Sequence, residues 1–215
     1  MILLAIIEYA ILASTFTLAK VAVKYADPLF IIGIRMVLSA PLMFLVHYLH
    51  KKNDFAIKKP DQIKFLLVAI FHIFLPFTAE FWALQFVSSA KAAITYSLTP
   101  FIAAVLSYFL LKKKIKSKQV LGLVIGLLGL MPIFISPDDS FNAELLFISL
   151  PEIILLFAVV SSSYAWFLVA DLMKRGYGIS LINGVSMLIG GVFSLLLWYV
   201  ATGGEEPVTN MSQFV

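Results

Sequence analysis

The chain has 215 residues, of which 61% are apolar, 14% aromatic and only 13% charged, with a mean hydropathy of +1.00. Globular domains run at about 45–50% apolar and about 25% charged, and an excess of this size cannot be hidden in the core of one domain whose surface must stay polar. That excludes a soluble enzyme, a nucleic-acid-binding domain and a disordered tail, and leaves a polytopic helical membrane protein; the net charge of +4 then belongs to topology first. There is no cysteine, so disulfides, thiolate metal sites and cysteine nucleophiles are excluded, and with three scattered histidines no metal or other cofactor is expected. The sequence starts apolar at Ile2 without a basic leader region and reads as a retained first span.

A membrane helix needs about 20 mostly apolar residues. Seven stretches qualify: 2–23, 29–49, 65–86, 92–111, 120–135, 152–172 and 179–201. They are separated by Asp27-Pro28, the lysine-rich 51–62 segment, Ser88-Ser89, the 112–118 basic run, Ser136-Pro137-Asp138-Asp139 and Gly176-Tyr177-Gly178, all turn-forming or charged. Alternation of the barrel type is absent. Twelve of the 16 lysines and arginines follow the second, fourth and sixth spans: Lys51, Lys52, Lys58, Lys59, Lys64, Lys112, Lys113, Lys114, Lys116, Lys118, Lys174 and Arg175. The opposite loops hold Lys24 and Lys91 against Asp27, Asp138, Asp139, Glu144, Glu205 and Glu206. Basic loops stay on the cytoplasmic side, so the N-terminus is expected to be cytoplasmic.

Displaced by 148 positions, residues 6–49 align with 154–197, and nine of the 44 pairs are identical: Ile6, Ala10, Ser14, Val21, Ala22, Ile31, Ile34, Val37 and Leu49 meet Ile154, Ala158, Ser162, Val169, Ala170, Ile179, Ile182, Val185 and Leu197. The displacement spans five helices, an odd number, so the second copy would lie inverted in the membrane, as in many transporters. The expected organisation is a first five-helix repeat over 1–137, an extracytoplasmic linker over 138–151 and two helices of a second repeat over 152–215, the start of a ten-helix bundle of roughly 300 residues. A complete seven-helix protein is the alternative.

The most distinctive segment carries Ala83-Leu84, Ser89-Ala90-Lys91-Ala92-Ala93, Ser97-Leu98-Thr99-Pro100, Phe109-Leu110-Leu111, Gln119, Gly122, Gly126 and Gly129, and is joined by Ser14-Thr15-Phe16 in the first span and by Pro28 and Arg35 in the second. It resembles the EamA-type transporters of the drug/metabolite transporter superfamily, in which a loop of small residues leads into a helix kinked at a Leu-Thr-Pro-like step and then into a glycine-spaced fifth helix. The resemblance implies a ten-helix, two-repeat carrier in a bacterial inner membrane or its organellar relative, with no single substrate. Members often carry Gly-Glu after the fourth span, where this chain has Lys112-Lys113-Lys114. No role of that acidic residue carries over.

Ionisable groups in lipid face a cavity or a partner. At about 1.5 Å per residue, Lys20, Arg35, Glu80 and Lys91 fall at one depth, in the outer third. Two readings stand: a basic outer vestibule for the carboxylate or phosphate of an anionic or zwitterionic metabolite, or outward-snorkelling lysines beside a structural Arg35–Glu80 pair. Glu8, in the inner third without a cation at its depth, is the candidate for proton coupling, and His72 a candidate relay; both have plain structural alternatives. Pro100 should bend the fourth span and serve as a hinge, with Ser97 and Thr99 serving freed carbonyls. Gly122, Gly126 and Gly129 form a flat stripe for close helix approach. Thr95, Thr99, Ser162 and Tyr164 could offer hydroxyls to a substrate between repeats, and Trp82, with Phe81, Tyr96 and Trp166, could wall its pocket. Asp171 reads as an interfacial partner of Lys174 and Arg175.

These residues point to a secondary transporter that moves a small metabolite by alternating access, with proton coupling or exchange both open. No GxxxxGK[ST] loop occurs, so a pump would need a partner subunit, and no clustered catalytic set is visible, so the chain is not expected to be an enzyme. The alternatives are an intramembrane enzyme acting on a lipid-linked substrate, a drug exporter of the same fold, or a non-transporting assembly subunit. A composition rich in Lys, Ile and Phe is one that AT-rich genomes encode, which brings import of an amino acid or an S-adenosylmethionine-like compound into view. The expected partners are the small-molecule substrate and the lipid bilayer, with room for a homodimer and no nucleic acid.

Overall fold

The computed structural model describes residues 2–51, 55–112, 117–134, 149–205 and 207. Among these residues seven helices follow in order: α1 (Ile2–Ala22), α2 (Pro28–Lys51), α3 (Lys59–Ala83), α4 (Ser89–Leu111), α5 (Ser117–Phe134), α6 (Leu150–Lys174) and α7 (Ile179–Thr202). No strand occurs among the described residues. By length and apolarity, α2, α3, α4, α6 and α7 can each cross a membrane. Their outer faces carry Leu38, Leu49, Phe109 and Val200, each at least 66% exposed, where only acyl chains could solvate them.

Local chemistry sets the helix ends. The Asp27 carboxylate accepts the Leu29 N–H at 2.8 Å, with Pro28 opening α2. The Ser88 hydroxyl accepts the Lys91 N–H at 3.2 Å and starts α4 three residues before its apolar run. Left-handed residues, Lys112 at φ 51° and Gly203 at φ 67°, end α4 and α7. The third helix begins at Lys59, well ahead of the apolar stretch that starts at 65, because Pro60 opens a 3₁₀ turn and Asp61 is buried there by polar partners.

α2 lies along α7, and α3 packs on α6 and α7. The α2–α7 seam is close because it is built on glycine: a Cβ on Gly33 would stand 2.5 Å from Leu195 Cγ, and one on Gly191 would stand 2.9 Å from Met36 Cβ. The predicted glycine stripe on α5 has no such role among the described residues. A Cβ on Gly122 would meet nothing, and one on Gly126 only Phe101 at 3.9 Å, while the surroundings of Gly129 lie outside the described residues. Two apolar clusters fill the bundle. One, with Phe16, Ile32, Phe81, Leu84 and Leu155, sits where α3 ends and α6 begins. The other, with Phe65, Val68, Val169, Leu172, Leu181 and Ile182, sits where α3 begins and α6 ends, at the lysine-rich end.

Candidate functional site

α3 is not one continuous α-helix. Residues Ala69–Phe74 form π-helical turns between a lower segment, Gln62–Val68, and an upper segment, Leu75–Ala83, that opens at Pro76. Such turns leave carbonyls without regular partners, and the Phe71 carbonyl accepts the Ser161 hydroxyl of α6 at 2.9 Å. Within these turns, His72 stacks edge-on to Trp166 at 4.9 Å and its Nδ1 is buried without a protein partner. Phe71 meets Tyr164 at 5.5 Å, edge to face. The hydroxyls of Ser163 and Thr78 are likewise buried without a protein partner, whereas Ser162, predicted as a ligand, is only half-buried beside them on α6.

The upper segment of α3 carries the charged site. Glu80 is 6% exposed, and its carboxylate accepts a hydrogen bond from the Tyr96 hydroxyl of α4. Arg35 of α2 interacts electrostatically with Glu80, and its guanidinium lies over the rings of Phe77 and Phe81 at 4.9 and 5.0 Å. A cation over an aromatic face is held without being neutralised, so Arg35 is fixed while keeping donors for a further anion. Phe16 of α1 closes on Tyr96 at 5.2 Å, and Trp82 stacks on Phe86 at 4.8 Å and packs against the same cluster.

The four ionisable residues predicted at one depth take separate partners. Arg35 and Glu80 come together. The Lys20 ammonium donates to the carbonyls of Leu84 and Gln85, at the C-terminal end of α3 where the helix dipole favours a cation. Lys91 forms an ion pair with Glu152 at the start of α6, and that carboxylate also accepts the Ser149 N–H and hydroxyl. Glu8 falls on α1, but its side chain lies outside the described residues.

α4 breaks at Leu98, two residues before Pro100. The Thr99 hydroxyl donates to the Tyr96 carbonyl at 2.5 Å and the Ser97 hydroxyl to the Ile94 carbonyl at 2.5 Å, as the sequence suggested. Thr95 donates to the Lys91 carbonyl at 2.9 Å, so this hydroxyl is spent on its own helix.

A second polar cluster lies at the lysine-rich end. Asp61, 3% exposed, accepts from Arg175 Nη1 at 2.9 Å and from the Tyr177 hydroxyl at 2.8 Å. Arg175 Nε and Lys64 Nζ both reach Asp171 Oδ2, at 3.0 and 2.5 Å. Burial, reinforced by the Asp61 charge, raises the Tyr177 hydroxyl above the usual tyrosine value, so it stays a proton donor. Asp171 was expected as an interfacial partner; the roles of Asp61, Tyr177 and Glu152 were not. Asp61 is, with Asp54, one of two carboxylates in a basic loop, and it alone of the two lies close before the third apolar stretch, which is the sequence signal that could have marked it.

A bundle that is all-helical among the described residues, with five membrane-capable helices and a group of Arg35, Tyr96 and the buried Glu80, defines a multi-pass membrane protein with a polar interior. Residues 1–135 match the model of the EamA-like transporter family, and the chain belongs to that family. It is 33% identical over 198 residues to an S-adenosylmethionine/S-adenosylhomocysteine transporter of Chlamydia trachomatis serovar L2, covering 91% of this chain and 60% of that protein. It is 32% identical to the transporter of the same name in Chlamydia muridarum, over 90% of this chain and 62% of the other. An uncharacterized transporter of Buchnera aphidicola subsp. Schizaphis graminum is 29% identical, over 92% and 63%. The chain thus spans about 60% of the length of the curated relatives it matches.

Proposed function

We propose that the chain carries the substrate-binding part of a secondary transporter that moves a zwitterionic, S-adenosylmethionine-like metabolite across the inner membrane by alternating access. The observation that carries this reading is the Arg35–Glu80–Tyr96 group: a fixed guanidinium with spare donors beside a buried carboxylate, in a member of the EamA-like family. An amino-acid moiety has both charges at short separation. Arg35 would take its carboxylate and Glu80 its ammonium or an adjacent sulfonium, which no apolar pocket could do. The Chlamydia relatives, named for such compounds, support that class.

The inverted-repeat organisation fits this reading. In it α1–α5, over 1–137, would be the first repeat and α6–α7, over 152–215, the start of the second, with the broken α4, bent at Leu98 and Pro100, beside the site. In this reading the N-terminus is cytoplasmic, which the lysine distribution supports, and His72 and Glu8 are the groups through which proton coupling would act.

The test is counterflow uptake of radiolabelled S-adenosylmethionine and S-adenosylhomocysteine, beside other amino acids, in cells expressing the full reading frame. Uptake that is saturable and lost in Glu80→Gln and Arg35→Gln is the expected result. Saturable uptake unchanged in both variants would reduce the pair to helix packing, and no uptake of any metabolite would overturn the transporter reading.

A further inference from the structure

The lysine-rich end of the bundle is closed twice over. Nearest the end, the carboxylate of Asp61 on α3 takes both its donors, Arg175 Nη1 and the Tyr177 hydroxyl, from the α6–α7 connection. Lys64 of α3 also reaches Asp171 of α6. Directly beneath, Phe65 and Val68 of α3 meet Val169 and Leu172 of α6 and Leu181 and Ile182 of α7, all at most 2% exposed. Nothing polar could pass this layer toward Glu80 while it is packed so.

The chemistry of the closure differs from that of the fixed seams. Where α2 meets α7, glycine backbones touch and separation would open a void. At Asp61, separation exchanges hydrogen bonds for water. Arg175 keeps Asp171, four residues before it in the last turn of α6, so parting α3 from the α6–α7 connection leaves no arginine charge stranded. Lys64, Asp171 and Arg175 already reach water, with side chains 27%, 43% and 43% exposed. The Lys58 N–H, which donates to the Tyr177 hydroxyl at 3.1 Å, is likewise at the surface, so buried Asp61 is the group whose surroundings change most.

The lower segment of α3 is also mechanically separate from the upper one. The π-helical turns Ala69–Phe74 stand between Asp61 and Glu80 on one helix, and irregular turns of this kind are where helices bend. A swing of Lys59–Val68 can therefore proceed without dragging the Glu80 segment out of register.

We infer that Asp61, Arg175 and Tyr177 are the latch of a gate at the lysine-rich end, with the Phe65–Val68–Leu172–Leu181 layer as its plug and the π-helical turns of α3 as its hinge. The inference deepens the transporter reading and rests on it for the purpose of the gate, but its test needs no substrate.

The 215 residues contain no cysteine, so a single Val68→Cys reports directly on the plug, where Val68 is 0% exposed. In the full reading frame, made cysteine-free elsewhere and placed in vesicles, labelling by a membrane-impermeant maleimide added at the lysine-rich side is followed with time. Asp61→Asn and Arg175→Gln should each speed labelling by about tenfold, the scale of losing one charged hydrogen bond across the gate. Tyr177→Phe, which removes one donor and leaves the ion pair, should give a smaller rise and serves where a charge variant fails to fold. Labelling unchanged in folded Asp61→Asn, Arg175→Gln and Tyr177→Phe overturns the gate. Faster labelling without uptake of any metabolite keeps the gate and overturns the transporter reading; normal uptake with unchanged labelling does the reverse.

Discussion

The Thr99 hydroxyl donates to the Tyr96 carbonyl at 2.5 Å, the acceptor that Pro100, four residues on and lacking an N–H, cannot serve. One turn earlier the Leu98 N–H has moved to the Thr95 carbonyl, and Ser97 serves the Ile94 carbonyl left behind. The break in α4 is thus supported at both freed acceptors. Thr99→Val should lower stability by about 0.6–1.5 kcal/mol, the range for a hydrogen bond within a membrane bundle or a protein interior. Pro100→Ala should restore a regular helix, raise the melting temperature in detergent and slow counterflow several-fold. Pro100→Ala with parental transport would show that the bend is static.

Tyr96 and Arg35 hold Glu80 from two helices, so the three should not behave alike on substitution. Tyr96→Phe removes one hydrogen bond and should weaken apparent affinity about tenfold, the effect of about 1.4 kcal/mol, while leaving maximal uptake nearly intact. Arg35→Lys keeps the charge but loses the planar group stacked over Phe77 and Phe81, and should cost more than Tyr96→Phe. Glu80→Gln should abolish zwitterion uptake. Because that change also strands the Arg35 charge, the double variant Glu80→Gln with Arg35→Gln should melt higher than Glu80→Gln alone. Uptake and detergent melting curves on the same four proteins separate binding from folding.

The helical class was readable from the sequence because apolar length is what the bilayer demands, and five of the seven expected spans are helices long and apolar enough to cross it. The kink at Pro100 and the service of Ser97 and Thr99 were readable for the same kind of reason: both follow from the missing N–H of one residue. The Arg35–Glu80 association was readable by depth. What depth could not give was azimuth. Lys20 and Lys91 share that depth, yet one turns to the end of α3 and the other to Glu152, and only the packed bundle decides such partners. The same limit hid Asp61, whose donors lie more than 110 positions away. The π-helical turns of α3 leave no mark in apolar periodicity, since the extra residue sits in a run that is apolar all round save for His72.

Glycine spacing did not single out the closest approaches within the chain. The regular stripe, a packing face inside the bundle or between protomers, meets among the described residues only Phe101 of α4, 3.9 Å from a Cβ on Gly126, whereas the unpatterned Gly33, Gly184, Gly190 and Gly191 sit at the tightest crossings. Gly190 stands against α3, where a Cβ would come within 2.7 Å of Ile73. Gly33→Ala and Gly191→Ala should each destabilise by about 1–3 kcal/mol, the cost of overpacking. Gly126→Ala should stabilise by about 0.5–1 kcal/mol, the gain of alanine over glycine within a helix. Melting temperatures in one detergent decide the matter, and a destabilised Gly126→Ala would place a close neighbour on that stripe.

Glu152 does two tasks where Lys91 does one, and a pair of single substitutions should show it. The carboxylate pairs with Lys91 across the α4–α6 interface and accepts both the N–H and the hydroxyl of Ser149, the residue before α6. Lys91→Ala removes the ion pair alone, whereas Glu152→Ala also strips the first turn of α6 of its acceptor, worth about 1 kcal/mol at helix N-termini. Glu152→Ala should therefore destabilise by about 1 kcal/mol more than Lys91→Ala, and Ser149→Ala, made on the Lys91→Ala background, should recover most of that difference. Glu152→Gln keeps an acceptor for Ser149 while losing the charge and should fall close to Lys91→Ala. Equal losses for Lys91→Ala and Glu152→Ala would mean that the α6 start is held by its burial against α3 and α4, with the carboxylate acting on Lys91 alone.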